Sequence, residues 1–317
     1  MTRNVIVTGA RTGIGLEVAL QFLRAGETVL LSSRFIDQLP KENEEIKKFI
    51  DGGHAHLQSA DLSTMEGCQQ LLKDGMKSLH NKLDVLVNNA GKFFPVGLAK
   101  TTPEQWRETM ALNLDAIFHL TQGAIPLLAE SKGCIVNISS IGAHRPDPGM
   151  TSYCVSKAAV DMLTRSSAQE LAGKGVRVNS VNPGVVKTPI AEAAGMSREG
   201  AQQFQENAAK INPLHRIGTP HDVAAATLFL ADPDKAGWIT GTNLVEARTW
   251  PFEELKEWSG WAGDEIQPFL FEGLPAKTVQ RREVASMQQR SQECVMEEFQ
   301  SRHKLAAAAC WQASPAR

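Results

Sequence analysis

Short runs of β-branched and leucine-rich residues recur along the chain, separated by longer stretches with a helical pattern of apolar positions. The runs are Asn4 to Thr8, Thr28 to Ser32, Ala55 to Ser59, Val85 to Val87, Ile135 to Ile138, Val176 to Val181 and Ile239 to Val245. Strands that alternate with helices in this way pair in parallel and are covered on both faces. Seven of them predict an α/β fold: a doubly wound, seven-stranded parallel sheet with helices on both faces. Glu42 to Phe49 reads as a charged, solvated helix. Met110 to Leu128 and Ser152 to Leu171 are the longest helical patterns, with small and apolar residues around much of their circumference. Helices buried between two subunits look like this, so a homodimer is expected through them.

The pattern changes near Glu246. Trp250, Trp258 and Trp261 fall close to Pro251, Pro268 and Pro275, and the stretch from Lys277 to Ala309 is charged and glutamine-rich. Val284, Met287, Val295 and Phe299 follow only a loose helical spacing there. The expected division is one domain over residues 1–248 and a C-terminal extension over 249–317, partly helical or disordered.

Composition changes this picture little. The chain has 317 residues and 42% hydrophobic positions, enough for a large core, and its net charge of -2 supplies no basic field for nucleic acid. No apolar stretch reaches the ~18 residues of a membrane span, and the opening MTRNVIVTGA lacks a signal peptide's organisation, so a cytoplasmic protein is expected. Cys68, Cys134, Cys154, Cys294 and Cys310 are widely spaced and read as reduced thiols. His54 and His56 share a strand face without ligand-spaced partners, so no metal site is expected.

Three places carry chemistry. Directly after the first strand, Thr8-Gly9-Ala10-Arg11-Thr12-Gly13-Ile14-Gly15 opens a helix. Glycines let the backbone approach a pyrophosphate, and the helix N-terminus offers unpaired N–H donors, so this turn predicts dinucleotide binding. The second strand ends at Ser33 and Arg34, where an NAD site would place an acid for the ribose 2′-hydroxyl. A serine and a guanidinium there, with Arg11 as a second candidate, favour the 2′-phosphate of NADP(H) over NAD(H). Finally Tyr153, the only tyrosine, precedes Lys157 by one helical turn and follows Ser140 by thirteen residues. A neighbouring cation lowers a phenol's pKa, each unit taking about 1.4 kcal/mol of differential interaction.

With Asn88-Asn89-Ala90-Gly91 after the fourth strand, Asn113 in MALNL, NISS ending at Ser140, YCVSK, and Asn182-Pro183-Gly184 with Thr188, the chain resembles the short-chain dehydrogenase/reductase family from residue 2 to about 245. The resemblance implies a Rossmann-type sheet and an oxidoreductase similar to 3-oxoacyl-carrier-protein reductases and NADPH-dependent carbonyl reductases. It implies Tyr153 as the general acid toward a carbonyl oxygen, Lys157 lowering its pKa and holding the nicotinamide ribose, Ser140 rather than Ser139 on the substrate oxygen, and Asn113 anchoring a relay water. It also implies cofactor contacts from Gly9, Thr12, Gly13, Ile14 and Gly15, from Asp61, Leu62, Asn88, Ala90 and Gly91, and from Pro183, Gly184, Val186 and Thr188. Asp61 and Ser63 are alternatively candidates for capping the following helix.

The implied substrate is a small carbonyl or alcohol compound. The segment Pro189 to Arg216, with Phe93, Phe94, His144, Arg145 and Met150, predicts apolar walls and a partly basic rim from Arg198, Lys210, His215 and Arg216. An NAD-dependent alcohol or sugar dehydrogenase and a nucleotide-binding regulator are the alternative functions. The family's Val-Asp-Gly-Gly turn is replaced by Val245-Glu246-Ala247-Arg248, which leaves a tetramer in doubt.

Overall fold

Residues 2–247 are described by the structure, a computed structural model; the predicted extension over 249–317 lies outside them. Seven strands form one sheet: β1 (Asn4–Thr8), β2 (Thr28–Ser33), β3 (Ala55–Ser59), β4 (Val85–Asn88), β5 (Cys134–Ile138), β6 (Arg177–Asn182) and β7 (Asn243–Val245). Every pairing is parallel, in the order β3-β2-β1-β4-β5-β6-β7. This is the Rossmann-type doubly wound sheet, and the order reverses between β1 and β4.

Alternation along the strands divides the core into two halves. Val5 and Val7 pack with Val29, Leu31, Val85 and Val87 on one face. Ile6, Leu30 and Leu86 pack on the other. The first face is covered by α1 (Gly13–Arg24), α2 (Glu44–Asp51) and, further along the chain, residues 220–231. The second is covered by α3 (Met65–Ser78) and by residues 116–131 and 151–171. No helix among the described residues is long and apolar enough to cross a membrane.

Three predicted elements differ in the structure. Glu42 to Phe49 is interrupted at Asn43, whose extended backbone and side-chain oxygen cap α2 by accepting from Glu45 N and Ile46 N, both at 3.0 Å. Met110 to Leu128 is not one uniform helix: α4 (Pro103–Met110) passes through a π-helical turn, Ala111–Asp115, into α5 (Ala116–Ser131). The last strand begins at Asn243, not Ile239, because the preceding residues turn. Gly241 has φ +76°, and the Val178 N–H goes to the Thr240 side chain at 3.1 Å instead of to a strand carbonyl. The pattern Ser152 to Leu171 corresponds to α6 (Thr151–Leu171). The longer helices that follow are α7 (Arg198–Ile211) and α8 (Pro220–Ala231).

Candidate active site

The carboxyl ends of β1 and β4 meet at the point where the strand order reverses. Gly9 and Gly13 have φ of +64° and +58°, which only glycine adopts without strain. At Gly15 a Cβ would lie 2.4 Å from both the Gly9 carbonyl oxygen and Asn89 Nδ2, so no side chain fits. Asn89 holds this loop: its Nδ2 donates to the Thr8 carbonyl at 2.9 Å, and the N–H groups of Asn89 and Ala90 donate to Thr8 Oγ1 at 2.9 and 3.1 Å. Thr12 is the N-cap of α1 and makes no side-chain cap, nor does the first turn contain an acid. The N–H groups at the start of α1 therefore keep their donors for a ligand at the positive end of the helix dipole. A bare, pinned glycine loop with free backbone donors fits a dinucleotide pyrophosphate.

At the end of β2, Arg34 is exposed, with its guanidinium 5.9 Å from the centre of the Phe35 ring. No carboxylate occupies Ser33 or Arg34. Arg11 is already ion-paired, at 2.8 Å, to Glu42. Asp61 accepts from Ser63 Oγ at 2.7 Å and Ser63 N at 3.0 Å. Those bonds, with the positive charges of Arg34 and Lys92, hold its carboxyl below the ordinary aspartate range. Neither Asp61 nor Ser63 caps α3; Thr64 does, through Gly67 N. The side chain of Leu62 is buried in the core with Leu71. The Asn88 side chain is likewise turned inward, donating to Asn137 Oδ1 at 2.9 Å. From this turn Asn89 and Gly91 line the cavity.

The reactive side chains come from β5 and α6. Lys157 is buried and its Nζ donates to the Ile138 carbonyl at 2.8 Å, at the end of β5. Ser139 is used up structurally, donating to the Lys157 carbonyl at 3.2 Å. Ser140 is the serine whose hydroxyl acts on the Tyr153 phenol, while its Oγ accepts from Gly142 N at 3.0 Å. Lys157 Nζ lies 5.7 Å from the centre of the Tyr153 ring, and Phe93 packs edge-on against the same ring with centroids 5.9 Å apart. Burial pushes the Tyr153 phenol up to about 12, against the opposing bond from Ser140. It pushes the Lys157 ammonium down to about 8, against the charge of Asp161. The net shift of Tyr153 is thus opposite to the lowering that its spacing from Lys157 predicts, because losing water costs the phenolate more than the hydrogen bond returns.

Asn113 lies fully buried in the π-helical turn. Its Oδ1 accepts from Lys92 N at 2.9 Å, and its Nδ2 donates to the Lys92 carbonyl at 2.8 Å and to Ser156 Oγ at 3.0 Å. One lone pair of Oδ1 remains. A Cβ on Gly91 would lie 3.4 Å from that oxygen and 3.7 Å from Lys157 Nζ, so the glycine keeps a narrow gap open between the two.

Ser140, Tyr153 and Lys157 line a cavity of about 170 Å³. Ile14 and Gly91 from the cofactor side reach it, as do Pro183, Gly184, Val186 and Thr188 after β6. Phe93, Met150, Ile190, Ala191 and Phe204 form apolar walls. The expected basic rim is not there: Arg198, Lys210, His215 and Arg216 do not line the cavity. Arg216 instead pairs with Asp222 at 2.8 Å, and His144 Nε2 lies 3.1 Å from Asp161 Oδ2. Phe94 carries Lys92 Nζ over its ring at 4.8 Å instead of lining the cavity. The motifs assign no role to Asn89, Asp147 or Asp161. Asp161 is legible from its place one turn beyond Lys157 on α6, and Asp147 from the Asp-Pro-Gly turn that precedes that helix. Among the described residues no group of three or more His, Cys, Asp or Glu is placed to hold a metal ion.

At the far end of the domain Glu246 N still pairs with the Asn182 carbonyl at 3.0 Å. Ala247 then adopts φ +53°, taking a left-handed conformation that glycine would adopt more readily.

The fold and site recur in known proteins. A family profile described as Enoyl-(Acyl carrier protein) reductase matches residues 9–246. A 3-oxoacyl-(acyl-carrier-protein) reductase, FabG, of Thermotoga maritima is 34% identical over 240 residues, 74% of this chain and 92% of that protein. A meso-2,3-butanediol dehydrogenase of Serratia marcescens is 33% identical, over 76% of this chain and 91% of its own. Among solved structures, ElxO with NADP bound superposes with a TM-score of 0.69 at 30% identity, covering 77% of this chain and 97% of that one. A 3-ketoacyl-(acyl-carrier-protein) reductase from Brucella melitensis complexed with NADH does so at 0.67 and 28%, covering 77% and 96%. On the match across three quarters of its length and the site just described, the chain belongs to the short-chain dehydrogenase/reductase family of oxidoreductases.

Proposed function

We propose that the protein is an NADPH-dependent reductase of a small ketone or 3-oxoacyl-type carbonyl, with Tyr153 as its general acid. The observation that carries this reading is the convergence of Ser140, Tyr153 and Lys157 on one cavity that the glycine loop also reaches. A bound reduced nicotinamide would supply the hydride. The substrate oxygen would accept from Ser140 and from Tyr153 together, so that charge developing on it meets fixed donors. Tyr153 then gives up its proton to that oxygen, and the buried ammonium of Lys157 stabilises the phenolate left behind. The phenol's high pKa suits the acid role, because it keeps the proton on Tyr153 until the carbonyl oxygen becomes basic. A water in the gap beside Gly91, held by the open lone pair of Asn113, would return a proton through Lys157.

For the cofactor, Ser33 and Arg34 favour NADPH, with Arg34 as the 2′-phosphate partner since Arg11 is engaged by Glu42. Asp61 would meet the adenine, Asn88 and Leu62 contribute backbone only, and Thr12, Ala90, Gly91, Pro183, Gly184, Val186 and Thr188 line the path to the nicotinamide. The near-equal identity to a butanediol dehydrogenase favours a second reading, oxidation of a small secondary alcohol by the same residues.

Two measurements test the proposal. Tyr153→Phe removes only the transferable proton, and turnover of NADPH with a ketone should fall by about 100-fold or more while NADPH still binds. Unchanged turnover would refute the assigned acid. Arg34→Ala should raise the KM for NADPH by about tenfold or more and leave that for NADH within about twofold; equal effects on both would place the 2′-phosphate elsewhere.

A further inference from the structure

Two charged groups line the cavity, and the mechanism uses only one of them. Lys157 is committed to the Ile138 carbonyl. The other is Asp147, which lines the cavity together with the apolar Met150, Ile190 and Phe204. Its position is fixed by a tight turn. Met150 N donates to the Asp147 carbonyl at 3.1 Å, Pro148 takes the second place and Gly149, at φ +83°, the third. That is a type II β-turn with the residues its backbone angles demand. Met150 is also the N-cap of α6, the helix that presents Tyr153 three residues on. The carboxyl and the phenol are therefore carried on one rigid piece of chain, and Asp147 lies near enough for its charge to act on Tyr153.

A carboxyl so placed has a cost, since burial disfavours its charge and raises its pKa, against the opposing charge of Arg145. The contact that closes the turn is backbone to backbone, from the Met150 N–H to the Asp147 carbonyl. A charged residue in an otherwise mostly apolar lining points to a ligand group.

We propose that Asp147 is a specificity residue that makes the cavity select a small ketone, or the matching alcohol, bearing a hydroxyl or ammonium donor close to the reacting carbon, and reject one bearing a carboxylate there. This rests on the function proposed above and narrows its substrate class. A donor within reach of Asp147 gains a charge-assisted hydrogen bond where the walls offer little else. A carboxylate in the same place meets a like charge in a poorly solvated site.

The test compares kcat/KM with NADPH for aminoacetone, acetoin, 2-pentanone and acetoacetate, in the wild-type chain, Asp147→Asn and Asp147→Ser. Wild type should favour aminoacetone over acetoacetate by about 100-fold, and both substitutions should shrink that ratio by about tenfold or more. The acetoin to 2-pentanone ratio should fall in the same direction. Calorimetric titration of aminoacetone and acetoacetate into each protein with NADP+, where no reduction occurs, reads the same preference without turnover. NADPH fluorescence on binding confirms that each variant folds. A ratio that stays within twofold of wild type in either folded variant overturns the role of Asp147. Binding preference that collapses on substitution with no turnover of any ketone would leave this inference standing and reject the reductase reading. Turnover with an unchanged preference would do the reverse.

Discussion

Lys157 has two demands placed on it, and they oppose each other. Burial drives its pKa down to about 8, while the proposed chemistry needs it charged to hold a phenolate. Near neutral pH it is still mostly an ammonium, and the folded protein carries the cost of burying it. The linkage sign follows. A lysine whose pKa is lower when folded contributes stability present above the unfolded value of 10.5 and lost as pH falls through 8. The full difference is about 3 kcal/mol at the lower end. Denaturant unfolding of the wild-type chain between pH 8 and 10 should therefore show a stability gain that Lys157→Met lacks, and that variant should be inactive. The same slope in both proteins would show that Lys157 is not titrating as assigned. Tyr153 acts in the opposite sense and at higher pH, its contribution being lost between 10 and about 12.

The elements hold the reacting groups to one another. The π-helical turn between α4 and α5 inserts one residue into the helical repeat and brings Asn113 onto the backbone of Lys92, next to the Asn-Asn-Ala-Gly turn. Gly91, at the end of that turn, then decides whether the space between Asn113 and Lys157 is open. In Gly91→Ala the new methyl lies at ordinary contact distances from both groups, and no positive φ is required of it. The substitution should keep stability within about 1 kcal/mol yet lower turnover by at least about tenfold, by filling the relay gap. Full activity in a folded Gly91→Ala protein would remove the gap from the mechanism. Gly15→Ala is a different case, because its methyl would fall against the Gly9 carbonyl and the fold itself would give way.

At the scale of the whole molecule, α5 and α6 leave apolar side chains in solvent: Phe118 is 45% exposed, Val155 44% and Met162 56%. The same two helices carry the small and apolar pattern from which a homodimer is expected, and we propose that these faces pack against a second copy. Phe118→Asp with Met162→Asp would bury charge at such an interface, and sedimentation should shift from dimer to monomer. A wild-type chain that sediments as a monomer would dispose of the dimer.

Much of this was legible in the residues alone. Strand runs, the glycine loop and the Ser140, Tyr153 and Lys157 spacing are local patterns, and local patterns persist because backbone geometry fixes their period. Hence the seven strands were placed within a residue or two, apart from the last, whose Gly241 turn competes with its β-branched composition. What only the tertiary structure decided depends on distant partners. Asn88 turned to Asn137 while Asn89 took the glycine loop, a choice set by which face each side chain occupies after β4. Arg11 was claimed by Glu42. The basic residues of the segment after β6 do not line the cavity, and Asp147 does. The pKa of Tyr153 went up rather than down for the same reason: spacing along a helix records which groups are neighbours, but desolvation is set by everything that packs around them.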